Sequence, residues 1–319
     1  MFNLNYISPT EEENNILYRL HPAYEKYIEL HVHEREFLNA LVLRFTPKKA
    51  LELGVSAGGS SVVIANALKE IQGSRLYSID LDEKYYKEPD KQCGFVCDEY
   101  PDLKKIRQQY LGGFACNFLD EIGSGIDFAF IDTAHVFPGE LLDFLMIYPY
   151  LSPNAAVVFH DTSLNLHLHA GTTRERSVVT GMLCSAIAGK KYQPLIDYKQ
   201  VSHLSSPNIT AVKITPETGE RLWEVFNLLV HTWAYPISEK NLALFVGHFE
   251  KWYPKNAVDF FLRINEFQNH HYFARRKVPQ HKITRFHYHA YRLLSKITLG
   301  QTRKKYKDKR KLVKQLGRF

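Results

Sequence analysis

The sequence predicts an α/β fold built on a mostly parallel sheet, and three observations carry that expectation. Short apolar runs alternate with helical patterns from Ala50 to about Thr215. The first run, A-L-E-L-G-V-S-A-G-G-S-S from Ala50 to Ser61, passes through a glycine-rich turn into a helical pattern at Val62–Leu68. Later runs end in carboxylates at Asp80, Asp132 and Asp161, and ligands of open α/β sheets bind at the carboxyl edge of the strands.

Taken in order, Pro22–Phe45 has helical periodicity (Tyr24, Tyr27, Ile28, Leu30, Phe37, Leu38, Leu41, Leu43) and is stopped by Pro47. Strands are expected at Leu51–Gly54, Leu76–Asp80, weakly near Arg107–Tyr110, at Ile126–Asp132 and at Ala155–Asp161. Pro138–Leu145 reads as the helix after the fourth strand, with proline at its start. Gln193–Asp197 and Ile209–Ile214 would close the sheet as an antiparallel pair. The stretch Leu81–Tyr110 is longer than a simple connection; its Tyr85, Tyr86 and Tyr100 fit either surface packing or a cover over a bound base. From Glu217 the pattern turns helical, at Arg221–Trp233, Lys240–Trp252 and Ala257–Phe267, rich in Trp, Phe and Leu. Four regions are therefore expected: a helical lead-in (1–48), a ligand-binding α/β domain (49–216), a helical extension (217–270) and a basic amphipathic tail (271–319).

With 319 residues, 45% hydrophobic and 24% charged, the chain can bury one substantial core and carry an extension. The first residues lack the basic and apolar regions of a secretory signal, and no run is long enough to span a bilayer. The four cysteines (Cys93, Cys97, Cys116, Cys184) have no zinc spacing and suggest no disulfide scaffold, although Cys93 and Cys97 have the proximity of a redox pair. A cytoplasmic protein is expected, peripheral to the inner face of the membrane if its tail binds lipid. From His271 onward sixteen Lys or Arg face one acid, Asp308, so the first 270 residues carry −8 beneath an overall +7. Ile283, Phe286, Ala290, Leu293, Leu294 and Ile297 fall at helical spacing in this tail, and R-K-K-Y-K-D-K-R-K follows from Arg303. An anionic membrane surface suits such a tail. Nucleic acid is the rival ligand, and a solvated tail or a homo-oligomer contact is the third reading.

The turn from Glu52 has the spacing E-x-G-x-x-x-G-G-S, not the G-x-G-x-x-G of pyrophosphate-binding loops. A carboxylate beside the turn would repel pyrophosphate and suits a cationic ligand. This pattern, followed by acids at the ends of the second, fourth and fifth strands, resembles the class I S-adenosylmethionine-dependent methyltransferases. The resemblance implies a Rossmann-like seven-stranded methyltransferase sheet, here with a helical C-terminal extension. It implies that Glu52, Gly54, Ser56, Gly58 and Ser60 hold the methionine end of S-adenosylmethionine. Asp80 would hold the ribose, with Asp82 as second candidate.

From about Glu34 to Thr215 the chain is similar to metal-dependent O-methyltransferases, and more closely to bacterial enzymes that methylate sugars or surface glycans. The resemblance places Mg²⁺ or another divalent cation on Asp132, Asp161 and Thr162. Lys and Asn stand at two positions of the catechol-type pattern where this chain has His135 and Thr162. His135, with Asp132, would be the catalytic pair, the histidine acting as general base; a histidine that merely bonds the turn is the plainer reading. His160 reads as structural. His167, His169, Arg174 and Arg176 lie on the expected acceptor rim, where the arginines suit a phosphate or carboxylate. The expected activity is O-methylation of a small acceptor, a sugar or surface-polysaccharide precursor. Two alternatives are a non-catalytic interaction protein at the membrane and an RNA or DNA methyltransferase clamping its substrate with the tail. No N-P-P-Y or D-P-P-Y run of amino-methylating DNA enzymes occurs.

Overall fold

The computed structural model describes residues 4–133, 135–163, 178–196 and 208–277. The chain begins with β1 (Leu4–Ile7), α1 (Glu11–Tyr18) and α2 (Val32–Phe45). The α/β body follows as β2 (Lys49–Leu53), α3 (Gly59–Lys69), β3 (Arg75–Asp80), the short helices α4 (Phe95–Asp98) and α5 (Pro101–Lys104), β4 (Arg107–Leu111), α6 (Ala115–Ile122), β5 (Ile126–Ile131), α7 (Gly139–Ile147), β6 (Leu151–His160), α8 (Val178–Ala186), β7 (Lys190–Pro194) and β8 (Ile209–Lys213). The extension comprises α9 (Pro216–Glu220), α10 (Leu222–Asn227), α11 (Glu239–Trp252) and α12 (Lys255–Lys277).

The strands form one eight-stranded sheet in the order β1-β7-β8-β6-β5-β2-β3-β4. All pairs are parallel except those of β8, which runs antiparallel to β6 and β7. Six of the strands expected from sequence are present near their expected bounds, the one expected at Gln193–Asp197 lies three residues earlier at Lys190–Pro194, and β1 adds an eighth at the edge, Leu4 lying opposite Lys191. Strand order reverses between β2 and β5, which opens a crevice at their carboxyl ends.

Strand alternation sorts the core into two faces. Leu51, Leu53, Ala129 and Ile131 pack with α6, α7, α8 and the aromatic residues of the extension. Ala50, Phe128 and Phe130 pack with α1 to α5 on the other side. The extension shares the first core: Phe226, Trp233, Phe249 and Phe261 join Phe144 and Phe159, all under 4% exposed.

Three helices differ from expectation. The helix expected at Ala257–Phe267 runs from Lys255 to Lys277, across the expected boundary between extension and tail, and residues 278–319 of that tail lie outside the described residues. The run Pro22–Phe45 is broken, with a 3₁₀ turn at Pro22–Lys26 and α2 starting at Val32. Glu34 accepts the His31 N–H at 2.7 Å and starts the helix there. Residues 27–30 lie instead over the start of α3, so close that a Cβ on Gly59 would stand 2.6 Å from the Ile28 Cα. The helix expected at Arg221–Trp233 stops after a 3₁₀ turn at Leu228–Val230. Trp233 is held by one tertiary and one local bond: its backbone N–H donates to Gln268 of α12, and its indole N–H to the carbonyl of Leu229 four residues back. Among the described residues no helix is long and apolar enough to cross a membrane.

Candidate active site

The turn after β2 is built by close backbone approaches. Gly54 has φ +85°, and a Cβ there would fall 1.8 Å from the Asp132 carbonyl oxygen, so only glycine lets β2 and β5 end side by side. Gly58, at φ +98°, precedes α3 and presses against Gly94. Asp80 fastens the turn from the neighbouring strand: its Oδ2 accepts the Val55 and Ser56 N–H groups at 2.8 and 2.9 Å. Its Oδ1 accepts the N–H of Asp82, whose own side chain is exposed.

A cavity of about 780 Å³ runs along this edge. Gly54, Val55, Ser56, Ser60, Ile79, Asp80 and Asp82 line one end, with Tyr27–Leu30 and Tyr86 beside them. Glu29 accepts from Tyr86 Oη at 2.9 Å and pairs with Lys87, tying the lead-in segment to the loop after β3. Asp132, Thr133 and His135 line the other end, with Leu142, Asp143 and Met146 of α7 and Tyr235, Ser238, Asn241 and Phe245 of the extension.

Glu52 does not line this cavity. It is fully buried beneath the turn and accepts hydrogen bonds from Ser60, Ser61 and Ser78 at 2.6–2.7 Å. The expectation that it touches the ligand is corrected by strand parity: Glu52 lies two residues from Ala50, on the α3 side of the sheet. Burial pushes its carboxyl above the ordinary range against the three serine hydroxyls. Gly58 likewise shapes the turn without lining the cavity. Gly54, Ser56, Ser60 and Asp80 do line it.

At the other end one oxygen or nitrogen from each of Asp132, His135 and Asp161 lies within 4.8 Å of the others. His135 Nδ1 is 2.5 Å from Asp161 Oδ2, and its Nε2 is 3.8 Å from Asp132 Oδ1. Its backbone, at φ +51°, donates to Glu140 at 2.5 Å. Burial works against a charged imidazole here, but Asp161, Asp132 and Glu140 outweigh it and push His135 up to about 9. Burial likewise raises Asp161, yet His135, His160 and Asn208 hold it below the usual carboxylate range.

His160 sits beneath the cluster, its ring nitrogens 3.2 Å from Asp132 and 3.3 Å from Glu34. Carboxylates only accept, so an imidazole between two of them is held as the doubly protonated cation. Its affinity for the proton is raised well above normal despite burial. The expected structural histidine is thus the prop that orients Asp132.

Thr162 is not brought to the cluster. Asp161 has left-handed backbone (φ +57°), and the next side chain turns toward β8, with Oγ1 3.4 Å from Thr210 Oγ1. It lines a separate cavity of about 490 Å³ with Lys191, Gln193 and Arg221. The amide that reaches Asp161 is Asn208, at 2.6 Å and buried. Asn208, Glu34, Glu140, Asp143 and Tyr235 were all missed in the sequence. Glu34 carried only a capping signal, and the others stand in segments with no motif. Burial pushes Asp143 up to about 6 and Glu140 to about 7. Cys93 and Cys97 are buried free thiols, each pushed up to about 12, by burial first, which works against the reactive thiolate that a redox pair needs. His167, His169, Arg174 and Arg176 lie outside the described residues.

Residues 51–162 match the family model described as a methyltransferase domain. The comparison with curated proteins found no match. Among solved structures the chain is similar to TomG from Streptomyces achromogenes, an O-methyltransferase involved in tomaymycin synthesis solved with SAM. That pair shares 16% identity over 66% of this chain and 92% of the other, with a TM-score of 0.45. It is also similar to an O-methyltransferase from Bacillus cereus solved with SAH, at 18% identity over 65% and 92% of the two chains and a TM-score of 0.44. The glycine turn, the end of β2 that leads into it, and the acid-tipped strands β3, β5 and β6 thus fall within the segment that is similar to the methyltransferase-domain family.

Proposed function

We propose that this protein transfers a methyl group from S-adenosylmethionine to a hydroxyl of a small acceptor, a sugar or surface-polysaccharide precursor. The observation that carries this reading is one continuous cavity with the glycine turn at one end and Asp132 and His135 at the other. In-line displacement at a sulfonium needs the acceptor oxygen held beyond the methyl group and a partner for the proton it loses. Ser56, Ser60 and the backbone of Gly54 would hold the methionine end, and Asp80 with the exposed Asp82 would face the ribose. His135, aimed by Asp161 and Glu140, would take the acceptor proton in its neutral form. Leu142, Met146 and Phe245 give the acceptor end apolar walls, and Asp143, Tyr235, Ser238 and Asn241 give it a few polar groups. That mixture suits a hydroxylated ring.

The donor set of Asp132, His135 and Asp161, with spacing under 4.8 Å and two hard carboxylates, fits a divalent cation. Such an ion would occupy the His135 lone pair and would lower the pKa of an acceptor hydroxyl in place of that base, so the two routes are alternatives that a chelator separates. Its imidazole donor favours manganese, iron or zinc over magnesium.

The reading is tested in two steps: calorimetric titration with S-adenosylhomocysteine, then transfer of labelled methyl from S-adenosylmethionine to nucleotide sugars and glycan fragments. Each assay is run with and without a chelator. Micromolar binding and methyl incorporation at oxygen are expected, with Asp132→Asn and His135→Asn lowering turnover by about a hundredfold or more while leaving S-adenosylhomocysteine binding intact. Binding of S-adenosylhomocysteine with transfer only to amines or nucleic acid would overturn the hydroxyl acceptor. Undiminished turnover by both variants would overturn the roles assigned to these residues.

A further inference from the structure

The acceptor end of the cavity holds a carboxylate for which the described chain supplies no counter-charge. Gly139, Leu142, Asp143 and Met146 line the cavity from α7 at i, i+3, i+4 and i+7, so Asp143 stands on one helical face beside apolar neighbours. Thr133 Oγ1 donates to its Oδ2 at 2.6 Å, and this is its one hydrogen bond among the described residues. Burial raises the carboxyl to about 6, and the Thr133 hydroxyl alone acts against it. Tyr235 of the extension is pushed up to about 12, by burial first and then by the charges of Asp143 and Glu140. Its hydroxyl and the side-chain amide of Asn241 have no hydrogen-bond partner among the described residues. Among the described residues that line the cavity, the basic ones are Lys84, two residues beyond Asp82, and His135, whose Nδ1 is taken by Asp161.

We propose, resting on the hydroxyl-transfer reading above, that the acceptor is a hydroxylated amine of the amino-sugar class whose ammonium group pairs with Asp143. A carboxylate drawn out of water without a counter-ion is costly, and a ligand cation that fills the cavity removes that cost. The N–H···O bonds it forms are charge-assisted, hence short and directional. An anionic acceptor would instead set its phosphate or carboxylate against Asp132 and Asp143, and a neutral polyol would leave Asp143 without a counter-charge. Tyr235 Oη and the Asn241 amide offer donors and acceptors to the remaining hydroxyls of the ring. Asp143 lies one turn beyond Glu140, which bonds the His135 backbone, so one small molecule reaches both Asp143 and the base. In the transfer the hydroxyl oxygen bonds the methyl carbon, the carbon–sulfur bond breaks with its electron pair going to sulfur, and the proton passes to neutral His135. The pairing with Asp143 keeps a proton on the amine. Its lone pair is therefore occupied, and the methyl group is directed to oxygen.

The test is transfer of labelled methyl from S-adenosylmethionine to matched acceptors, read as kcat/KM, after S-adenosylhomocysteine binding has been measured by calorimetry. Glucosamine, galactosamine and mannosamine are each compared with the N-acetylated sugar and with the sugar bearing a hydroxyl in place of the amine, and UDP-glucose serves as the anionic acceptor. Transfer to oxygen of at least one amine is expected, preferred about tenfold or more over its neutral counterparts. Asp143→Asn should lower kcat/KM for that amine about a hundredfold, mainly through KM, and erase the preference. Asp143→Glu should restore part of it, and S-adenosylhomocysteine affinity like the parent's certifies the fold of both variants. Transfer to neutral or anionic sugars in preference to every amine overturns the proposal and leaves the methyl-transfer reading standing. So does methylation at nitrogen, or an amine preference that survives Asp143→Asn. Failure of the parent to bind S-adenosylhomocysteine removes both readings together.

Discussion

Glu52 shows how one side chain can mark a binding site without touching its ligand. Its carboxylate ties the end of β2 to the first turn of α3 through Ser60 and Ser61, and to β3 through Ser78. Replacing it with alanine leaves three buried hydroxyls without their acceptor and a cavity beneath the glycine turn, at a cost of about 3 kcal/mol or more. Urea unfolding of Glu52→Ala should therefore show a clear loss of stability. Glu52→Gln, which keeps the shape and one acceptor, should lose less. If both variants unfolded like the parent while ligand binding vanished, Glu52 would contact the ligand after all. Asp80 works similarly through the Val55 and Ser56 amides, but it keeps one edge on the cavity.

At the scale of elements, the start of α7 concentrates titrating groups. Glu140 is 5% exposed, and burial raises it to about 7 against the pull of His135. A carboxyl whose folded pKa is raised holds its proton more tightly in the folded state. Its stabilising contribution is complete below the unfolded value near 4.5 and is lost as pH rises through 7. His135, raised to about 9, loses its contribution as pH rises from 6.5 through 9. Both effects have the same sign, so the melting temperature should fall as pH climbs from 5 to 9. The Glu140 share amounts to at most ~3 kcal/mol, and Glu140→Gln should flatten the fall below pH 7. A melting temperature that rises over that window would contradict the burial of Glu140 and the pairing of His135 with its carboxylates.

For the whole molecule, the extension and the α/β body share one hydrophobic core. Phe226, Trp233, Phe249 and Phe261 complete the core that Phe144, Phe159 and the sheet begin, and Tyr235, Ser238 and Asn241 finish the acceptor end of the cavity. A chain ended after Thr215 would expose that face to water. It should be insoluble or lack cooperative melting by circular dichroism; a soluble, cooperatively melting truncation would show that the body folds alone. The lead-in contributes in the same way from the other side, through β1 at the sheet edge and residues 27–30 over the start of α3.

Sheet, turn and the acid-tipped strands were legible in the sequence because each rests on local rules: alternation of apolar runs, the φ that glycine alone accepts cheaply, and residue type at strand ends. Asp80, Asp132 and Asp161 were legible for that reason, and His135 only through its position in the family resemblance. Where each side chain points was decided by tertiary structure. Strand parity against α3 turned Glu52 inward. The left-handed backbone at Asp161 sent Thr162 to β8 and left Asn208 as the amide on that carboxylate. His160 became the prop of Asp132 only because α2 delivers Glu34 to its far side, 126 residues away in the chain. Such partners answer to charge and burial across the fold, and no local spacing encodes them.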